Sequence, residues 1–126
     1  MREEIIQHIN RGKHYIQVAE YLAELSYWDA VISRAYYAMF HTATAVLLSV
    51  EVSRSSHLAH NSAFGEYVAK PGLMNTKFHR YLLDGFSARS ESDYEPVTEA
   101  SEENALIITD QAKEFLEAAK DFLKIK

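Results

Sequence analysis

The chain has 126 residues, 48% hydrophobic and 25% charged, the size and make-up of one globular domain with no room for a second. It has no cysteine, which excludes disulfides, thiol nucleophiles and cysteine-held zinc and suits a reducing cytoplasm. A formal charge of -5 argues against general binding to a nucleic-acid backbone, which needs clustered Lys and Arg to displace counterions, so DNA is not an expected partner, although a local basic patch is compatible with it.

With only 4 Gly and 2 Pro, and no stretch that alternates apolar with polar over a strand's length, the chain is predicted to be all-α. Its start, MREEIIQH, carries charge but no apolar core or cleavage site, so it does not read as a signal peptide. The first helix is predicted near 2–24, where Ile5, Ile6, Ile9, Ile16, Ala19, Leu22 and Ala23 recur at threes and fours and make one apolar stripe, weakened in the middle by Gly12. The second, near 27–50, follows Ser26 as a candidate cap and is apolar on nearly every face. Its run from 35 to 50 contains His41 and is flanked by Arg34 and Glu51, too short and polar for a membrane span of ~20 apolar residues, so a buried helix is expected and no membrane.

A Ser-rich break at Ser53, Ser55 and Ser56 leads to a short helix near 57–70, stopped by Pro71 and Gly72. Asn75 can cap the fourth helix, near 76–94, which puts Phe78, Leu82, Phe86 and Arg89 on one side and should end before Pro96. The last, near 101–124, has the clearest period, with Ala105, Ile108, Ala112, Phe115, Ala119 and Phe122. Short connections favour antiparallel neighbours, hence an up-and-down bundle of four long helices plus one short helix. The acidic run Glu91, Asp93, Glu95, Glu99, Glu102 and Glu103 reads in part as a solvated loop and helix start.

Arg34 and His41, seven residues apart, project in nearly the same direction, ~10.5 Å apart along the axis, with Tyr37 and Ala38 between. Ionisable groups on a buried helix need partners, because unpaired burial is costly. One reading pairs Arg34 with an acid and His41 with a carbonyl. The other makes His41 a general acid or base near neutral pH and Arg34 a phosphate donor. Arg89, Asp93 and Tyr94 form a second constellation, with Arg89 and Asp93 one turn apart; as a surface ion pair it would contribute only ~0.5 kcal/mol.

His57 and His60, three apart, could present two metal ligands, but nothing completes a site, and no metal is expected. Glycine-rich phosphate loops and a GxSxG elbow are absent, so no cofactor is expected and common hydrolase and kinase classes drop away. The 8 Tyr and Trp28 can stack on bases, yet Tyr36 and Tyr37 sit on the most apolar helix, where packing is their ordinary role.

At these residues the chain resembles the HEPN (higher eukaryotes and prokaryotes nucleotide-binding) family, in particular its small single-domain prokaryotic members. The resemblance runs from WDAVISRAYYAMFHTATAVLL (28–48) through SSHLAHNSAFGEYVAKPGL (55–73) to ARSESDYEP (88–96) and the closing helix. It implies a helical bundle, usually a homodimer, often made beside a small nucleotidyltransferase as partner, and a nucleotide- or RNA-associated binding module. It also implies an alternative, since many relatives are metal-independent endoribonucleases, toxins of toxin–antitoxin pairs. Their signature is an Arg, four to six residues and a His on a late helix near the dimer interface, often with a polar residue after the Arg.

Arg34 and His41 satisfy the spacing as tentative catalytic residues, but Ala35 replaces the polar residue and the pair sits on the second helix. The late helix instead offers Arg89, Asp93 and Tyr94. A carboxylate with pKa near ~3.9 is ionised at neutral pH and is a poor proton donor. The expected site is therefore a polar cluster of Arg34, Tyr37, His41, His57, Arg89, Asp93 and Tyr94 in or beside a dimer interface, with Asp93 neutralising Arg34 or Arg89.

Overall fold

A computed structural model describes residues 2–94 and 101–126, apart from the side chains of 92–94. Five α-helices follow one another: α1 (Arg2–Glu24), α2 (Trp28–Ser49), α3 (His57–Phe64), α4 (Lys77–Tyr94) and α5 (Glu102–Leu123), and no strand occurs among the described residues. The all-α bundle read from the apolar periods is the fold found. The expected stop at Pro96 lies outside the described residues.

In α1 the buried residues Ile5, Ile9, Gly12, Ile16 and Ala19 repeat at fours and threes, which lays one stripe against α2. Gly12 is part of that contact. A Cβ there would lie 2.9 Å from Thr42 Oγ1 and 3.2 Å from the Ala38 carbonyl oxygen, so the missing side chain lets the two backbones approach.

The cap expected at Ser26 is not made, and the residue has another role. Ser26 adopts φ 60°, its amide bonds the Ala23 carbonyl, and the Tyr27 amide reaches back to Leu22, the bonding of a left-handed helix C-terminus. Ser26 therefore stops α1, and α2 starts after Tyr27 without a side-chain cap. Glu51 (φ 62°) ends α2 and Lys124 (φ 58°) ends α5 with the same pattern. Capping hydroxyls do occur at Ser56 and Ser101, which accept from the Ala59 and Asn104 amides, and Asn75 accepts from the Lys77 amide.

The short helix is not α-helical to its end. After Phe64 it widens into a π-helical turn, Gly65–Ala69, closed by the Lys70 amide on the Gly65 carbonyl and stopped at Gly72 (φ 80°).

Helix α2 is central, packed by α1, α4 and α5. Val31, Tyr36, Met39, Val46 and Leu47 have almost no exposed surface, and Phe64, Leu82 and Phe115 meet them in one core. Each such side chain contributes roughly 1.5–3 kcal/mol by leaving water. The apolar surplus that α2 displays in sequence is thus covered within one chain. Large exposed apolar side chains sit elsewhere, including Tyr21, Leu25 and Tyr27 around the α1–α2 turn. No helix among the described residues is long and apolar enough to cross a membrane.

Candidate functional site

The antiparallel α1–α2 contact brings two polar stripes face to face. On α1, His8, Arg11 and Tyr15 follow at three and four, beside the apolar stripe rather than within it. On α2, Arg34, Tyr37 and His41 do the same in the opposite chain direction. His8 therefore meets His41, with the two Nδ1 atoms 3.0 Å apart, and Tyr15 meets Arg34 and Tyr37.

The Tyr15 ring lies between the two α2 residues read from the sequence. It stacks on His41 at 5.6 Å and 17°, while the Arg34 guanidinium sits 5.7 Å from its centre. Arg11 adds a second guanidinium at 5.0 Å. His8, Tyr15, Arg34, Tyr37 and His41 are all half-buried, and Arg11 is exposed.

Beneath this face lies a layer contributed by α3 and α4. Tyr36 is fully buried, and its hydroxyl is 2.7 Å from His57 Nδ1 and accepts from Asn61 Nδ2 at 3.3 Å. Asn61 Oδ1 is 3.0 Å from His60 Nδ1, and His60 Nε2 is 2.9 Å from the Thr44 hydroxyl. Phe40 stacks on His57 at 4.3 Å and lies 4.1 Å from His60. Arg89, only 8% exposed, places its guanidinium 5.5–5.6 Å from the Tyr36, Tyr37 and Phe86 rings, distances suited to cation–π attraction.

The electrostatics follow from burial. His41 is pushed down to about 4, first by desolvation and then by the charge that His8, His60 and His57 carry when protonated and that Arg11 always carries. His8 is lowered by burial, with Glu4 opposing, and His57 by burial and then Arg89. His60 is lowered by burial, opposed by its bond to Asn61. Tyr36 is raised to about 12 by burial, so its hydroxyl keeps its proton. The Tyr36 hydroxyl then donates a hydrogen bond to Nδ1 of a neutral His57, while the Asn61 amide donates to the same oxygen. At neutral pH these four imidazoles are uncharged, and the site's positive charge rests on the guanidiniums.

Of the residues singled out in sequence, the structure brings Arg34, Tyr37, His41, His57 and Arg89 into this cluster through shared ring contacts. Tyr37 touches Tyr15, Tyr36, His57 and Arg89. The side chains of Asp93 and Tyr94 lie outside the described residues, and with them the expected pairing of Asp93 with Arg34 or Arg89. Arg34 has no carboxylate partner among the described residues; its guanidinium rests against the Tyr15 ring. His57 and His60 spend nitrogens on Tyr36, Thr44 and Asn61 rather than on each other. No group of three or more His, Cys, Asp or Glu among the described residues could hold a metal ion.

Sequence reading missed the α1 half, His8, Arg11 and Tyr15. Their three–four spacing was the available signal. A separate groove of about 540 Å³ between α1 and α5, lined by Ile9, Ile16 and Leu116 with Lys13, Lys113 and Lys120, contains no imidazole or phenol.

Comparison with known proteins adds an independent line. A model of the HEPN domain matches residues 6–123. A UPF0332 protein of Gloeobacter violaceus is 34% identical over 91% of this chain and 92% of its own length. A UPF0332 protein of Archaeoglobus fulgidus is 30% identical over 94% of both chains. A protein of Methanocaldococcus jannaschii bearing the name "Putative toxin" is 30% identical over 98% of this chain and 92% of its own.

Proposed function

The chain belongs to the HEPN family, and on that footing we propose that it binds RNA or a nucleotide across the α1–α2 face. Arg11 and Arg34 take phosphate oxygens, and Tyr15 and Tyr37 meet a base. The observation that carries this reading is the pairing of the two stripes. In a chain of net charge -5, they place two guanidiniums with no carboxylate partner among the described residues beside two half-buried tyrosines. A guanidinium matches phosphate geometry, and a base gains about 1–3 kcal/mol by stacking on an aromatic ring.

As a binding module it acts with a partner that supplies chemistry, for which a nucleotidyltransferase-type protein is our candidate, and it works as a homodimer in the cytoplasm. The test of the binding reading is fluorescence anisotropy with a short single-stranded RNA over a salt series. Arg11→Ala and Arg34→Ala should each weaken binding and lower the salt slope by about one. Unchanged affinity in the double variant would overturn it.

A second reading has its own support. In this one the protein is a metal-independent endoribonuclease, the toxin of a toxin–antitoxin pair, using Arg34 and His41. The neutral, half-buried His41 hydrogen-bonded to another imidazole favours it, as does the name of the M. jannaschii relative. RNA cleavage in the presence of a chelator, lost in His41→Ala with the thermal midpoint nearly unchanged, is the expected result. Intact RNA with the wild-type protein would refute this reading.

A further inference from the structure

We infer that His8 is the second proton-transfer residue of this site, and that His8 and His41 pass a proton through their shared Nδ1–Nδ1 hydrogen bond during cleavage of an RNA phosphodiester. The inference rests on the second reading above. Its basis is geometric. The ring centres are 5.2 Å apart and tilted by 23°, while the Nδ1 atoms are 3.0 Å apart. The rings therefore meet edge to edge and nearly in one plane, the direction in which an imidazole lone pair accepts a hydrogen bond.

One Nδ1 must carry a proton and the other must accept it, and in neutral rings each choice fixes the opposite nitrogen. When His8 donates from Nδ1, its Nε2 is a bare base and His41 carries its proton on Nε2. Neither Nε2 makes a hydrogen bond among the described residues, and neither is sealed from solvent. Both outer nitrogens therefore retain contact with solvent, the side from which a substrate would approach.

The step balances. A ribose 2′-oxygen forms a bond to the adjacent phosphorus as its proton passes to His8 Nε2. The Nδ1 proton of His8 moves to His41 Nδ1. His41 releases its Nε2 proton to the departing 5′-oxygen as the P–O5′ bond breaks. The products are a 2′,3′-cyclic phosphate and a 5′-hydroxyl, and each ring ends as its other neutral tautomer. Neither ring need become an imidazolium, which agrees with the depressed basicity of both. Glu4 near His8 and the Arg11 guanidinium near His41 set the direction, with His8 the base and His41 the acid.

The test is cleavage of a fluorescent single-stranded RNA with chelator present, together with binding of the same sequence in 2′-O-methyl form. His8→Gln and His41→Gln should each slow cleavage by about 100-fold or more, the range for a lost general acid or base, with 2′-O-methyl binding within about threefold of wild type. The double variant should be little worse than either single one, because the two rings act as a unit. Added imidazole should restore part of the cleavage in His8→Ala. If His8→Gln cleaves like wild type while His41→Gln is inactive, the relay is overturned and the ribonuclease reading stands. If wild-type protein leaves RNA intact, the ribonuclease reading fails and the relay with it.

Discussion

Gly12 of α1 and Ala38 of α2 approach so closely that a side chain at Gly12 would stand 3.2 Å from the Ala38 carbonyl oxygen, with Thr42 Oγ1 nearer still at 2.9 Å. Thr42 cannot swing away freely, because its hydroxyl donates to that same carbonyl at 2.8 Å. In an open helix interior, replacing Gly by Ala stabilises by roughly 0.5–1 kcal/mol. Here overpacking, at roughly 1–3 kcal/mol, should win. Gly12→Ala is expected to lower stability by about 1–2 kcal/mol in urea unfolding and to weaken RNA binding by parting the two stripes.

The left-handed residues at three helix ends give the opposite sign. Ser26, Glu51 and Lys124 hold φ values of 58–62°, where a Cβ crowds the carbonyl at a cost of roughly 1–2 kcal/mol. Glycine avoids that crowding but loses more chain entropy on folding. Ser26→Gly and Glu51→Gly should each raise stability by about 0.5–1 kcal/mol, measured as a shift in the urea midpoint at constant slope.

The fold was legible because its information is periodic. Ile5, Ile9, Ile16 and Ala19, or Ala105, Ile108, Ala112 and Phe115, carry their helical faces in their spacing alone. Punctuation was less legible. Ser26 has the chemistry of an N-cap, yet the short α1–α2 turn needs a left-handed residue there, and Gly12 looked like a weak point when it is a contact point. Half of the candidate site was visible as the seven-residue step from Arg34 to His41. The other half was not, because which face of α1 covers that stripe depends on how α1 docks. Partners 33 residues apart such as His8 and His41, or 21 apart such as Tyr36 and His57, leave no local trace.

Acid should destabilise the protein through its imidazoles. His41 has its proton affinity lowered to about 4 in the folded chain, against 6.5 when unfolded, and His8, His57 and His60 are lowered too. Between these values the unfolded chain binds more protons than the folded one, so stability is fully present above about pH 6.5 and declines as pH falls toward 4. The groups that enter this balance around His41 are His8 and Arg11 on α1 and His57 and His60 on α3. Urea midpoints taken from pH 7 to 4 should fall, and they should fall less steeply in His41→Phe. A flat profile for the wild-type protein would contradict the assignment of neutral, buried rings.

Arg34 and Arg89 both rest on aromatic rings, and their exposure should give them opposite phenotypes. Arg34 is half-buried, touches Tyr15 at 5.7 Å and lacks a carboxylate among the described residues. A cation–π contact open to water contributes about 0.5–1 kcal/mol, so Arg34→Ala should leave the fold nearly intact while costing RNA affinity. Arg89 is 8% exposed and covers three rings, Tyr36, Tyr37 and Phe86, from the α4 side. Its removal opens a cavity over that cluster and uncovers the Tyr36–His57 hydrogen bond, for an expected loss of about 2–4 kcal/mol. Arg89→Lys should recover little of it, since a compact ammonium cannot spread over three ring faces as a planar guanidinium does. Thermal melts and anisotropy on the same two alanine variants decide the matter. An Arg34→Ala protein that melts as early as Arg89→Ala would mean that Arg34 is held by a buried partner rather than presented to a ligand.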